Sequence, residues 1–216
     1  MLLTVLIIVS FVIARLCISS AMRLKLVDHP DERKQHNGAI PLTGGIAIFL
    51  TILFGTLALG VQPYTVQMLG IAFVVFLVGV FDDIRHINAG TRLLIQFAAG
   101  ALLATFGGIA IHNVGNLLAF GDIHLLILTV PLSALAVAGL SNAYNMIDGI
   151  DGLASSTIAL PLLILFVLAS WAGHPQADFL LLMLVPLGVF LVYNLGPNNR
   201  LLPKTVSYTH LRAHET

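Results

Sequence analysis

The segment 142–153 reads NAYNMIDGIDGL, so Asn142, Asn145, Asp148 and Asp151 recur at every third position. On a helix or a tight helical turn this spacing makes one slowly drifting stripe of hard oxygen donors. Such donors suit Mg²⁺, which takes a few carboxylates and shares its other positions with water and phosphate oxygens. Gly149 and Gly152 would let the backbone turn sharply or approach a ligand closely. A polar turn capping the next helix would explain any one of these residues. Four in register favour a metal and phosphate site.

A second acidic feature, Asp82-Asp83, closes an apolar run after Val80-Phe81. A helix presents its negative end there, and two adjacent carboxylates repel one another unless a cation neutralises them. A divalent metal, or Arg85 and Arg92, would supply that charge. The third feature is the basic segment 27–45, VDHPDERKQHNGAIPLTGG, in which Arg33 and Lys34 precede His36. It enters a helix through Thr43-Gly44-Gly45, with Thr43 the expected cap and the helix start a natural anion site. A basic juxtamembrane loop by itself is more often a topology signal. Metal ligation by His29 and His36 is the minor reading. His112, His124 and His174 belong to the opposite face.

These residues are set between long apolar segments. The 216 residues are 58% hydrophobic and only 9% charged, with a mean hydropathy of +0.98. A soluble domain carries about a quarter charged residues, so lipid must be the solvent for much of this chain. Apolar runs near span length occupy about 2–22, 44–61, 66–81, 93–110, 125–142, 155–172 and 179–195. None alternates like a strand, so helices are expected throughout: an all-α, polytopic membrane bundle of about seven spans. The third span is expected to stop at Asp82. Residues 1–22 read as a retained helix, because no basic residue precedes the run and no small-residue cleavage site follows. The lone Cys17 rules out a disulfide within the chain.

Basic residues set the orientation. Arg23, Lys25, Arg33 and Lys34 fall in the first loop, Arg85 and Arg92 around the third, and Arg200, Lys204 and Arg212 in the tail. The alternate loops carry no Lys or Arg, and Arg15 is near enough to a span end to snorkel. The positive-inside rule therefore puts loops 23–43, 82–91, 143–154 and the tail in the cytoplasm and the amino terminus outside. Trp171 sits where an interfacial anchor would. Asp28, Asp31, Glu32, Asp82, Asp83, Asp148 and Asp151 then share the cytoplasmic face. A carboxylate at mid-bilayer costs about 2.5–3.5 kcal/mol, which explains their placement at span ends but not their pattern.

In these motifs, from the first span to about Asn194, the chain resembles the polyprenyl-phosphate N-acetylhexosamine-1-phosphate transferases. The resemblance rests on Val27-Asp28-x-Pro30 through Arg33-Lys34-x-His36 to Pro41-x-x-Gly44-Gly45, on Asp82-Asp83 followed by Arg92 and Gln96, and on 142–153. It implies an enzyme of the bacterial inner membrane. That enzyme would transfer N-acetylglucosamine 1-phosphate from UDP-GlcNAc to undecaprenyl phosphate, releasing UMP, with Mg²⁺ (or Mn²⁺) as cofactor. The product would begin O-antigen, common antigen or teichoic acid linkage synthesis. The first loop is less similar to the branch that uses UDP-MurNAc-pentapeptide. The resemblance implies that Asp82 and Asp83 are catalytic and that Asn145, Asp148 and Asp151 form the metal and nucleotide site. It implies that Asp28, Arg33, Lys34, His36, Arg92 and Asn142 contact substrate. The expected partners are the lipid phosphate, the UDP-N-acetylhexosamine and the bilayer, with no nucleic acid and with a homodimer left open.

Family members have more spans, a Phe-x-Gly-Asp-x-Gly-Ser loop after the seventh and a later His-rich loop. Here Ser207–Thr216 reads as a foreign tail, leaving 1–206 as one transmembrane domain whose remaining site elements are expected beyond Val206. A chain ending there is expected to have little activity. Two rivals fit less well. An intramembrane prenyltransferase would show Asn-Asp-x-x-Asp motifs, and an ion-coupled transporter would place acids at mid-depth.

Overall fold

The computed structural model describes residues 1–24, 27–28, 40–41, 43–85, 87–116, 119, 121–147 and 152–195. Among the described residues seven α-helices follow in order: α1 (Leu2–Leu24), α2 (Gly44–Ala58), α3 (Val66–Arg85), α4 (Ala89–Thr105), α5 (Thr129–Ile147), α6 (Leu153–Trp171) and α7 (Ala177–Leu195). Two-residue strands β1 (Val27–Asp28) and β2 (Ile40–Pro41) lie between α1 and α2 and pair antiparallel, with Asp28 opposite Ile40. Five helical segments, formed by α1, α3, α5, α6 and α7, are long and apolar enough to cross a membrane, and α2 and α4 are shorter apolar helices. The chain is a multi-pass, all-α membrane protein.

The helix ends differ from the apolar runs in an instructive way. α3 does not stop at Asp82 but continues through both aspartates to Arg85. α4 begins at Ala89 because Asn88 caps it, its side chain accepting the Gly90 amide at 2.9 Å. α5 likewise runs on to Ile147 and includes Asn142 and Asn145. Hydropathy marks where a helix meets lipid, whereas hydrogen bonding of its terminal amides and carbonyls marks where it ends.

The chain divides into two compact units, Met1–Gln62 with Asn145–Thr216, and Pro63–Tyr144. In the first unit α7 packs against α1, α2 and α6. Its Leu182 is fully buried, and α2 approaches it through Gly55, where any Cβ would collide with the Leu182 side chain. One end of α2 is held the same way, Gly44 meeting the ring of Phe190. Small residues that let backbones close up are how helices gain contact where lipid removes the hydrophobic drive. Two buried hydroxyls are satisfied within their own helices, Ser10 donating to the Leu6 carbonyl and Thr51 to that of Ala47.

The second unit holds α3, α4 and most of α5. The Thr65 hydroxyl donates to the Gly107 carbonyl at 2.9 Å and accepts the Met68 amide at 3.1 Å, joining the start of α3 to the end of α4. Gly100 of α4 lies so close to α5 that a Cβ there would sit 2.8 Å from the Ala134 Cα. Ser133 accepts the Ile111 amide and ties the 106–128 loop to α5.

Candidate active site

The α3–α4 turn is built around Asp82. One carboxylate oxygen, Oδ1, accepts the Ile87 amide at 2.7 Å, and Oδ2 accepts Arg92 Nη1 at 3.0 Å. The two side chains are 18% and 24% exposed respectively, which shields the pair more than an open surface would. Asp82 stands at the negative end of α3, an unfavourable place for a carboxylate, and Arg92 stands in the first turns of α4, an unfavourable place for a cation. Pairing them across the turn offsets both. Arg85 lies elsewhere, its guanidinium 5.8 Å from the centre of the Phe81 ring. Of the two cations expected to neutralise the aspartates, Arg92 is the one bonded to Asp82.

Asp83 is exposed at the same end of α3. Asn142 is half-buried and Asn145 exposed in the closing turns of α5, so the first half of the every-third-residue stripe is helical. Arg92 and Asn142 lie equally far, about 12 Å of helix rise, from the α4–α5 contact at Gly100 and Ala134. Gln96, one turn from Arg92 on α4, has a buried Oε1 with no hydrogen-bond partner among the described residues. On the same two-helix hairpin an apolar groove of about 410 Å³ runs between α3 and α4, lined by Gly70, Val74, Ala98 and Leu102 among others.

In the first unit, β1 and β2 bring Asp28 beside Ile40 and so close the base of the basic segment. Arg33, Lys34, His36, Asp148 and Asp151 lie outside the described residues. Thr43 occupies the position before α2 but does not cap it. Its ψ of 2° departs from the extended cap conformation, and its hydroxyl makes no cap bond. That hydroxyl is buried without a partner among the described residues, as are both amide heteroatoms of Asn194 near the end of α7. Buried polar groups are nearly always hydrogen-bonded, so each calls for a partner that the described residues do not supply. Asn194 belongs to none of the three sequence motifs. Its signal was a lone amide at the end of the seventh apolar run, one helical turn beyond Phe190.

Among the described residues no three His, Cys, Asp or Glu side chains gather as a metal cluster. The chemistry of the sequence's donor set still fits Mg²⁺, since carboxylates and amide oxygens predominate and the only cysteine is in the first span.

A polytopic helical membrane protein with a paired acidic turn is the class that fold and site define. Residues 65–202 match the model of glycosyl transferase family 4. The chain belongs to that family. It is 33% identical over 182 residues to a Bacillus subtilis (strain 168) protein described as "Probable undecaprenyl-phosphate N-acetylglucosaminyl 1-phosphate transferase", covering 82% of this chain and 50% of the relative. It is 35% identical over 137 residues to the undecaprenyl-phosphate alpha-N-acetylglucosaminyl 1-phosphate transferase of Escherichia coli (strain K12), covering 62% of this chain and 36% of that one. The Salmonella typhi protein of the same name is 31% identical over 182 residues, with 78% and 49% covered. The chain thus spans at most about half the length of these curated relatives.

Proposed function

We propose that the full-length protein transfers N-acetylglucosamine 1-phosphate from UDP-GlcNAc to undecaprenyl phosphate at the cytoplasmic face of the inner membrane. The observation that carries this is the match over 65–202, which contains both Asp82-Asp83 and the 142–153 stripe, in a chain whose relatives are named undecaprenyl-phosphate N-acetylglucosaminyl 1-phosphate transferases. The hairpin of α3 and α4 adds physical support: it joins a charged end to an apolar groove, the two environments a phosphorylated lipid needs. In the reaction an oxygen of the lipid phosphate bonds to the sugar-bearing phosphorus of the UDP-sugar. The bond from that phosphorus to the bridging oxygen breaks, and UMP leaves.

Such a transfer requires positioning and charge neutralisation more than covalent work by the protein. Arg92 would hold a phosphate, and the acidic pair would stand at the reacting groups. Asp148 and Asp151, with Asn145, would hold Mg²⁺, which neutralises diphosphate charge when bound. Asn142 and the basic residues Arg33, Lys34 and His36 would contact the nucleotide-sugar or lipid phosphate, with Asp28 ordering the base of their segment. The product would serve envelope polysaccharide synthesis. The test is mass spectrometry of lipids formed by membranes containing the full-length protein, UDP-GlcNAc and undecaprenyl phosphate. Undecaprenyl-diphospho-GlcNAc should form, and EDTA should abolish it until Mg²⁺ is restored. Absence of that lipid in the presence of Mg²⁺ would refute the assignment.

A further inference from the structure

We infer that the hairpin between α4 and α5 carries a metal site of its own, in which His124 and Asp122 chelate a transition-metal ion of the Zn²⁺ class. It lies apart from the residues of the proposed reaction. Arg92 to Thr105 is about 20 Å of helix rise, and the hairpin follows Thr105. Within it the Leu125 amide donates to the His112 carbonyl at 2.9 Å and the Val114 amide to that of Ile123 at 3.1 Å, framing the antiparallel bridge Asn113–His124. A bridge framed in this way is the kind whose two side chains stand closest. Alternate residues of a strand project to one side, so Asp122 shares the face of His124, about 6.6–6.8 Å along the strand. Asn113 reaches that face from across the hairpin. Its Nδ2 donates to Asp122 Oδ2 at 3.4 Å, and its Oδ1 accepts the Gly115 amide at 2.6 Å. The amide thus steers the carboxylate, as outer partners of metal ligands do.

Asp122 Oδ1 and the His124 ring have no hydrogen bond among the described residues, and both side chains are exposed. An ion about 2.0–2.2 Å from one imidazole nitrogen and one carboxylate oxygen fits between them, with water at its other positions. An imidazole ligand suits Zn²⁺, Cu²⁺ or Ni²⁺ rather than Mg²⁺. Residues 106–128 contain no Lys or Arg to compete for the carboxylate. His112, next to Asn113 on its strand, belongs to the other side of the hairpin and stays outside the chelate.

The test is modification of the whole untagged chain in detergent by diethyl pyrocarbonate across a Zn²⁺ titration, with each histidine read by peptide mass spectrometry. Zn²⁺ should protect His124 and leave His112 reactive, and EDTA should restore the reaction at His124. Mg²⁺ at the same concentrations should protect neither. Asp122→Asn should raise the Zn²⁺ concentration for half-protection about tenfold or more, since loss of even an outer partner costs about 10–100-fold. Unchanged reactivity of His124 under Zn²⁺, equal protection of His112, or an unmoved midpoint in Asp122→Asn would each overturn the site. No substrate enters the measurement, so it decides the site whether or not the transfer reaction is found.

Discussion

α7 and α3 are both apolar helices of span length, yet they serve the molecule differently. α7 buries Phe179, Leu182, Val185, Pro186, Leu187 and Val189 within the protein, whereas α3 has no buried residue. Apolarity does not separate them. The partner does: α7 meets α2 at Gly44 and Gly55, while Gly70 and Gly79 of α3 have nothing within 4 Å of the position a Cβ would take. In a bilayer an exposed leucine is solvated by lipid tails, so burial follows from close backbone approach more than from hydropathy. Packing is concentrated on α7. The carboxylates of α3 are concentrated in its last turn, at Asp82 and Asp83.

Substitutions should break this division unequally. The largest effect on turnover belongs to Asp83→Asn, where a loss of about a hundredfold or more in kcat corresponds to roughly 3 kcal/mol of transition-state stabilisation. Folding of this and the following variants is read by denaturant titration in detergent. Next is Leu182→Ala, which removes a fully buried side chain and should cost about 2–5 kcal/mol of stability in the same titration. Gly55→Val, which forces a side chain into the space of Leu182, should cost about 1–3 kcal/mol. Leu77→Ala on α3 comes last. Leu77 is 48% exposed, and its loss should change stability by no more than about 0.5 kcal/mol. A loss at Leu77 equal to that at Leu182 would show that α3 is packed as tightly as α7.

Much of this was legible in the sequence. The seven helices follow from runs of span length, since lipid leaves a backbone few other ways to satisfy its hydrogen bonds. The acidic pair and the stripe starting at Asn142 were visible as residue types in a pattern. The helix ends were not, because Asn88 and Asp82 set them through local hydrogen bonds that hydropathy cannot report. Nor was the choice between Arg85 and Arg92 as partner of Asp82: Arg85 is nearer in sequence, but the turn brings Arg92 onto the carboxylate. Asn194 was hidden by its surroundings, a single amide in an apolar run whose burial depends on how α7 packs. Thr43 carried the right side chain for a cap, and only its backbone torsion shows that the cap is not made.

UMP release by the full-length protein, measured with and without undecaprenyl phosphate at saturating UDP-GlcNAc and Mg²⁺, tests the central claim most directly. Release should require the lipid phosphate and rise in proportion to it at low concentration. Release at the same rate without the lipid would contradict a transfer reaction onto that acceptor.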